Sequence, residues 1–217
     1  MYVLILALVL VVVLVRSRLI WTAIARWFAH HSTLNDKVLN LRFSQKLNRY
    51  IDRPTTRNIM LGSSTIAWMP NTFDGKVFAN LGVASLCTTH ILNSLHHVET
   101  IKADTAIVYI GVNDMIRGTD SRQIARNIHT ILTTLDARQI LYIPIIQSSY
   151  QEFLGRERLD YMLDINRSVS TLIEDRRNIR TVTPTFAAKD FGADRLHLNG
   201  TGNAKMKETV EEALRDL

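Results

Sequence analysis

The sequence predicts an α/β body, a three-layer α/β/α sandwich around a central parallel sheet, preceded by an N-terminal transmembrane helix. Three observations carry this. Short β-rich runs alternate with longer helical segments from Asn58 onward. The runs are continuously apolar, as strands buried on both faces are, rather than alternating. Finally, the chain opens on "MYVLILALVLVVVLV", an unbroken apolar stretch that meets "RSR".

Taken in order, the leader comes first. A spanning helix needs about 20 apolar residues, with a lower limit of about 17. Residues 1–20 reach that length by borrowing past Arg16 and Arg18, whose long side chains can snorkel to the interface. The competing reading is a cleaved signal peptide, with "AIA" at Ala23 to Ala25 as its small-residue site. Against cleavage, no Lys or Arg precedes the apolar run, and two arginines separate it from that site. Residues 21–57 read as a juxtamembrane helical segment. Its "LIWTAIARWFAHH" approach suits either a membrane surface or packing on the body.

Residues 58–217 form the third region. "NIMLG", "KVFANLG", "TAIVYIG", "QILYIPII" and "NIRTVTP" are the expected strands. Helices are expected at Thr88 to Ile101, Ser121 to Leu135, Glu157 to Asp175 and Thr201 to Leu217. Alternation of this kind implies a parallel sheet covered on both faces. The chain carries no internal repeat, low-complexity tract or long linker, so one domain plus an anchor accounts for its 217 residues.

Charge and cysteine content narrow the function classes. The 26 Lys and Arg against 20 Asp and Glu give a net charge of +6. The basic residues are scattered except for Arg16, Arg18, Arg26, Lys37, Arg42, Lys46, Arg49 and Arg53, which follow the leader. That placement favours lipid headgroups, each juxtamembrane cation gaining about 1 kcal/mol near an anionic surface. Nothing resembles a nucleic-acid module with interleaved aromatics, so no nucleic-acid partner is expected. Positive charge on the C-terminal flank predicts a cytoplasmic body. Cys87 is the single cysteine, which excludes an intrachain disulfide and a cysteine-built zinc site. The reading of Cys87 is a small buried hydrophobe.

In open parallel sheets, ligands bind beyond the carboxyl ends of the strands. Those ends carry Gly62-Ser63-Ser64, then Gly82, then Gly111-Val112-Asn113-Asp114. Near the C-terminus, "GADRLHLNGTGNAKM" places Asp194 and His197 three apart, just before the last helix. A serine hydroxyl is a weak nucleophile and needs a base in reach, itself oriented by a third group. Ser64, His197 and Asp194 supply those roles. Acyl transfer also builds an oxyanion, for which the N–H of Ser64, the N–H of Gly82 and the side-chain amide of Asn113 are the candidates.

At these residues the chain resembles the SGNH hydrolase superfamily, also called GDSL-like esterases and lipases. "MLGSSTI" resembles the block with the nucleophilic serine, "NLGVAS" the glycine block, "GVND" the asparagine block and "DRLHLN" the Asp-x-x-His block. The resemblance runs from about Asn58 to the C-terminus. It implies the flavodoxin-like SGNH hydrolase fold, Ser64 as nucleophile, Asp194 and His197 completing the triad, and Ser64, Gly82 and Asn113 as the oxyanion hole. Two positions depart from the pattern: Ser63 replaces the acidic residue usual before the nucleophile, and Ser85 stands where a second glycine is common. The resemblance also favours an extracytoplasmic body, opposite to the flanking charges.

The duller readings concern the same residues taken singly. Gly-Ser after a strand is often a turn and helix cap, His197 alone reads as a surface residue, and Asn113-Asp114 alone as a turn. Four blocks in order favour the site. His30-His31 and His96-His97 are adjacent pairs that face apart on a helix, and His90 and His129 read as helix-surface positions. No metal and no organic cofactor is expected. Trp68 and Met69 read as core packing, with an acyl pocket as the second reading. "GTGNAKM" lacks P-loop spacing, so Asn199, Gly200 and Thr201 start and cap the last helix.

The function expected is a membrane-anchored serine esterase whose partners are an ester substrate, lipid acyl or O-acetylated glycan, and the bilayer. An O-acetyltransferase acting on a polysaccharide or cell-wall glycan shares the first half-reaction. A non-catalytic membrane assembly subunit that keeps the fold is the third reading.

Overall fold

A computed structural model describes residues 32–98, 101–148, 150 and 155–217. The expected transmembrane helix at 1–20 and the His30-His31 pair lie outside the described residues. Among those described, no helix is long and apolar enough to cross a membrane. The chain divides into two compact units, Met1–Lys37 and Val38–Leu217.

Helix α1 (Ser32–Asp52) continues into the second unit, where Leu39, Phe43, Leu47 and Tyr50 recur at three- and four-residue intervals and are buried. One face of this stretch is therefore core. Strand β1 (Asn58–Gly62) follows and leads directly into the short helix α2 (Ser64–Trp68).

The run "KVFANLG" is not one strand. Strand β3 (Lys76–Val77) pairs antiparallel with β2 (Thr72–Phe73), whereas β4 (Ala79–Asn80) pairs parallel with β1. Between them Phe78 is buried edge-on to Phe73, ring centroids 5.6 Å apart. An apolar run thus conceals a change of partner.

The segment expected as one helix from Thr88 to Ile101 divides into α3 (Thr88–Leu92) and α4 (Leu95–Val98). Strand β5 (Lys102–Tyr109), nearly all buried, leads into α5 (Val112–Arg117), so Asn113-Asp114, which taken alone read as a turn, lie in a helix. Helix α6 (Ser121–Thr134) starts at Asp120, whose side chain accepts from the Gln123 N–H, and buries Ile124, Ile128, Ile131 and Leu132. That spacing is one helical face, with a charge-compatible cap at its start.

Strand β6 (Asp136–Tyr142) stops where Pro144 removes a ladder donor. Ile145 is bonded instead through both its N–H and its carbonyl to the Asn166 side chain. Asn166 lies on α7 (Arg156–Leu172), which is followed by β7 (Ile179–Thr181), a 3-10 turn (Ala188–Asp190) and α8 (Gly200–Arg215).

The main sheet is five-stranded and parallel, in the order β4-β1-β5-β6-β7. Counting only its own strands, the order is 2-1-3-4-5, the doubly wound pattern of flavodoxin-like sheets. Helices α3, α5 and α7 pack around α6, and α8 packs on the 3-10 turn and β2. The three-layer α/β architecture with a central parallel sheet is as the sequence predicts. The order reverses between β1 and β5, and the crevice above that point is bordered by Ser63-Ser64 and by Gly111-Val112-Asn113.

Candidate active site

Ser64 opens α2 immediately beyond β1 and is largely buried. Its Oγ lies 3.0 Å from His197 Nε2, across 133 positions of sequence. His197 Nδ1 lies 2.5 Å from Asp194 Oδ2. The other carboxylate oxygen, Asp194 Oδ1, accepts from the N–H groups of Leu196 and His197 at 3.1 and 3.0 Å. Partial burial pushes the Asp194 carboxyl up, but these three hydrogen bonds outweigh it and hold the group below the ordinary carboxylate range. Asp194 is thus an anion fixed against the imidazole, and Nε2 is the nitrogen presented to the serine.

The loop bearing both residues is closed on itself. Gly192 N–H donates to the His197 carbonyl at 2.7 Å, Arg195 N–H to the Gly192 carbonyl at 2.9 Å, and Phe191 bridges Leu198. Arg195 completes the turn at φ +60°. Asn199 then ties the loop to α8. Its Nδ2 donates to the carbonyls of Lys189 and Phe191, while its Oδ1 caps the N–H groups of Thr201 and Gly202. Asn199 therefore starts the last helix, as the sequence indicates. Beneath, the buried Asp190 carboxylate accepts from Lys205 Nζ at 2.6 Å and from the Ala187 N–H at 2.8 Å. Those contacts hold it below the usual carboxylate range. Gly202 is glycine for a steric reason, since a Cβ there would stand 2.2 Å from the Asp190 carbonyl oxygen.

The glycine block corrects one expectation. The Gly82 N–H donates to Asn80 Oδ1 at 2.9 Å, closing an Asx turn, and so is not a free donor facing a developing oxyanion. Asn80 Nδ2 in turn donates to the Ile66 carbonyl of α2 at 2.7 Å. Gly82 itself packs on that helix: a Cβ would lie 2.5 Å from Ala67 N. Its glycine identity serves close approach to the nucleophile's helix. The Gly82 carbonyl accepts from Lys46 Nζ of α1 at 2.8 Å, and partial burial lowers the lysine's pKa. Ser85, exposed at φ +64°, occupies the left-handed conformation that glycine takes most readily.

Asn113 lies at the start of α5 with Nδ2 donating to the Leu86 carbonyl at 2.9 Å, which fixes the amide and leaves its second N–H for another acceptor. Next to it Asp114 is buried and accepts from Thr88 N–H and from Thr88 Oγ1 at 2.6 Å. Burial raises its pKa, with the Thr88 bonds working the other way. This network, with Asn127 Nδ2 donating to Thr88 Oγ1, locks α3, α5 and α6 behind the site. Sequence reasoning missed it, along with the roles of Lys46 and Asn80: Asp114 and Asn80 lie within the quoted blocks, but which side chain or backbone group each one bonds is set by the fold and not by spacing.

Five other residues bear on the sequence readings. Ser63 is fully buried with no partner for its Oγ among the described residues, and its Oγ makes no helix cap. His90, expected on a helix surface, is buried, its Nδ1 accepting from the Cys87 N–H at 2.9 Å. Cys87 is buried and Met69 is core, as read. Trp68 is not core: it is 58% exposed, and its ring lies 4.7 Å from that of His197. Among the described residues no group of three or more His, Cys, Asp or Glu could hold a metal ion.

A sequence model of the GDSL-like Lipase/Acylhydrolase family matches residues 59–205. No curated protein matches this sequence. Among solved structures, a Streptococcus pneumonia protein provisionally named a platelet activating factor superposes with a TM-score of 0.68 at 17% identity, covering 86% of this chain and 99% of its own. A GDSL-like lipase from Bacteroides thetaiotaomicron gives 0.58 at 14% identity, covering 78% and 97%. A carbohydrate esterase family 3 protein from Talaromyces cellulolyticus gives 0.57 at 14% identity, covering 75% and 97%. At these identities the likeness is one of fold.

Proposed function

Because the chain belongs to the GDSL-like lipase/acylhydrolase family, whose members act on ester bonds, we propose that it is a membrane-anchored serine esterase working through an acyl-enzyme on Ser64. The observation that carries the proposal is the unbroken Ser64–His197–Asp194 hydrogen-bond chain. In that reading His197 Nε2 takes the Ser64 proton as Oγ attacks the ester carbonyl. The same nitrogen then delivers the proton to the departing alcohol, and in the second half it draws a proton from water. Asp194 holds the ring in the required tautomer and balances the imidazolium. The oxyanion would meet the Ser64 N–H and the remaining N–H of Asn113 Nδ2, each such donor being worth about 3 to 4 kcal/mol in the transition state.

Anchoring rests on the sequence of residues 1–20, and the substrate is an ester of a lipid or an O-acetylated glycan. A reporter fused after Leu217 reads the side of the membrane: a cytoplasmic signal is expected from the flanking arginines.

The test is labelling of the detergent-solubilised chain by a fluorophosphonate, with turnover of p-nitrophenyl acetate. Ser64→Ala and His197→Ala should each lose labelling and about 10⁴-fold or more in turnover, whereas Ser63→Ala keeps both. A folded wild type that neither labels nor turns over would leave the pair as a helix start and nothing more.

A further inference from the structure

The family match starts at residue 59, yet a side chain from the helix before it reaches the surroundings of the nucleophile. Lys46, half-buried on α1, donates from Nζ to the Gly82 carbonyl at 2.8 Å. Two neighbours on the same helix pin it in place. The Ser44 hydroxyl lies 3.1 Å from that of Ser94, and Asn40 Oδ1 accepts from Asn93 Nδ2 at 3.3 Å. Those two contacts go to the junction between α3 and α4. Of the three, Lys46 alone is directed to the glycine block.

The Gly82 carbonyl shares a peptide group with the Val83 N–H, which donates to the Gly62 carbonyl at 3.0 Å. That carbonyl shares a peptide with the Ser63 N–H, which donates to the Tyr109 carbonyl of β5 at 3.2 Å. Three bonds thus run in one direction, from the ammonium through two peptides to the strand beside β1. The first is charge-assisted. Bonds in such a chain polarise one another, so a cation at its head strengthens each N–H further along. The chain has little room to shift. A Cβ at Gly62 would stand 2.0 Å from the Tyr109 carbonyl oxygen, and one at Gly82 2.5 Å from Ala67 N.

The next peptide joins Ser63 to Ser64 and carries the Ser64 N–H. Its carbonyl accepts from the Ala67 N–H at 2.9 Å, and Ala67 is the residue against which Gly82 packs. The glycine block therefore bears on the nucleophile from both sides, through the peptide before Ser63 and through α2. Taking the esterase reading as given, we infer that Lys46 is a positioning residue for acyl transfer: its ammonium on the Gly82 carbonyl fixes the peptides that lead into Ser64, and with them the direction of the Ser64 hydroxyl and N–H. Holding an ammonium partly out of water has a desolvation cost, seen in the lowered pKa of the lysine. A neutral side chain of similar length would fill the place without that cost, but would leave the carbonyl without its donor. Lys46 acts through two peptides and not on the ester itself, so its loss falls on kcat and leaves KM.

The experiment measures kcat and KM for p-nitrophenyl acetate, and the rate of fluorophosphonate labelling, in the detergent-solubilised full chain. Wild type is compared with Lys46→Met, Lys46→Gln, Lys46→Arg and Asn40→Ala, with cooperative thermal unfolding as the check on folding. The expected result is that Lys46→Met lowers kcat and the labelling rate by about tenfold at unchanged KM, since small misplacements of a reacting group are costly in rate. Lys46→Arg, which keeps the cation, should recover most of this, and Asn40→Ala should stay near wild type. Lys46→Gln gives the same reading if Lys46→Met fails to fold. An unchanged kcat in a folded Lys46→Met or Lys46→Gln overturns the inference. So does a loss confined to KM, a loss as large in Lys46→Arg, or an equal loss in Asn40→Ala, which would make the effect one of seating α1. Wild type that neither labels nor turns over overturns the esterase reading instead.

Discussion

Ser63 and Ser64 are adjacent, and among the described residues only the Ser64 hydroxyl has a hydrogen-bonding partner. A buried hydroxyl without a partner costs about 1 to 3 kcal/mol, so Ser63→Ala should leave stability unchanged or raise it by about 1 kcal/mol in chemical denaturation. Ser85 offers a second gain. Its φ of +64° costs a non-glycine residue about 1 kcal/mol, and Ser85→Gly should return part of this as a higher unfolding midpoint. At this scale the juxtaposition of Ser64, His197 and Asp194 was legible because a serine hydroxyl proposed as nucleophile calls for a base in reach and a group to orient that base. Gly82 was misread because what its N–H does depends on Asn80, and a side-chain hydrogen bond leaves no periodic trace in sequence. Trp68 was misread for a similar reason: an aromatic at helical spacing looks the same whether it packs inward or outward.

The loop 191–198 and α8 behave as a single element. Asn199, Asp190, Lys205 and Gly202 join them, so Gly202→Ala should displace the Asp190 carbonyl and with it the seat of His197. The expected outcome is a folded protein with most of its fluorophosphonate labelling lost. Acid behaviour follows from the same residues. Asp190 and Asp194 both have folded-state pKa values below their ordinary ones, so the folded chain binds fewer protons than the unfolded chain there. Their contribution to stability is complete above the ordinary carboxylate range, about pH 4, and is lost as pH falls through the lower folded values. Thermal midpoints measured against pH should fall below about pH 4, and Asp190→Asn should flatten that fall. Of the elements, β1, α6, α7 and α8 were legible to within about three residues, and in α6 and α8 a side-chain cap marks the start. "KVFANLG" and Thr88 to Ile101 were not, because the first changes sheets at Phe78 and the second breaks at Asn93-Ser94.

For the whole molecule, the match to the family begins at residue 59, but the core does not. Leu39, Phe43, Leu47 and Tyr50 of α1 are buried in it, and Lys46 reaches the Gly82 carbonyl. A chain starting at Asn58 would expose that surface, whereas one starting at Ser32 would keep it. The first should fail to unfold cooperatively and the second should fold and label. Phe43→Ala in the full chain should cost about 3 to 5 kcal/mol by denaturant titration. The parallel sheet was legible in continuous apolar runs, while the membership of α1 in the body was not, because an amphipathic helix beside an apolar leader reads equally well as lying on a bilayer.

The distance of 133 positions between Ser64 and His197 bears on how the protein is made. A ribosome delivers Ser64 well before α8, and folding during synthesis runs from the N-terminal side. Until Asn199 and Lys205 have emerged, the loop that carries the base has no seat, and the serine already in place is an ordinary alcohol. The growing chain is thus inert toward esters it passes, and hydrolytic power arrives only once α8 has emerged.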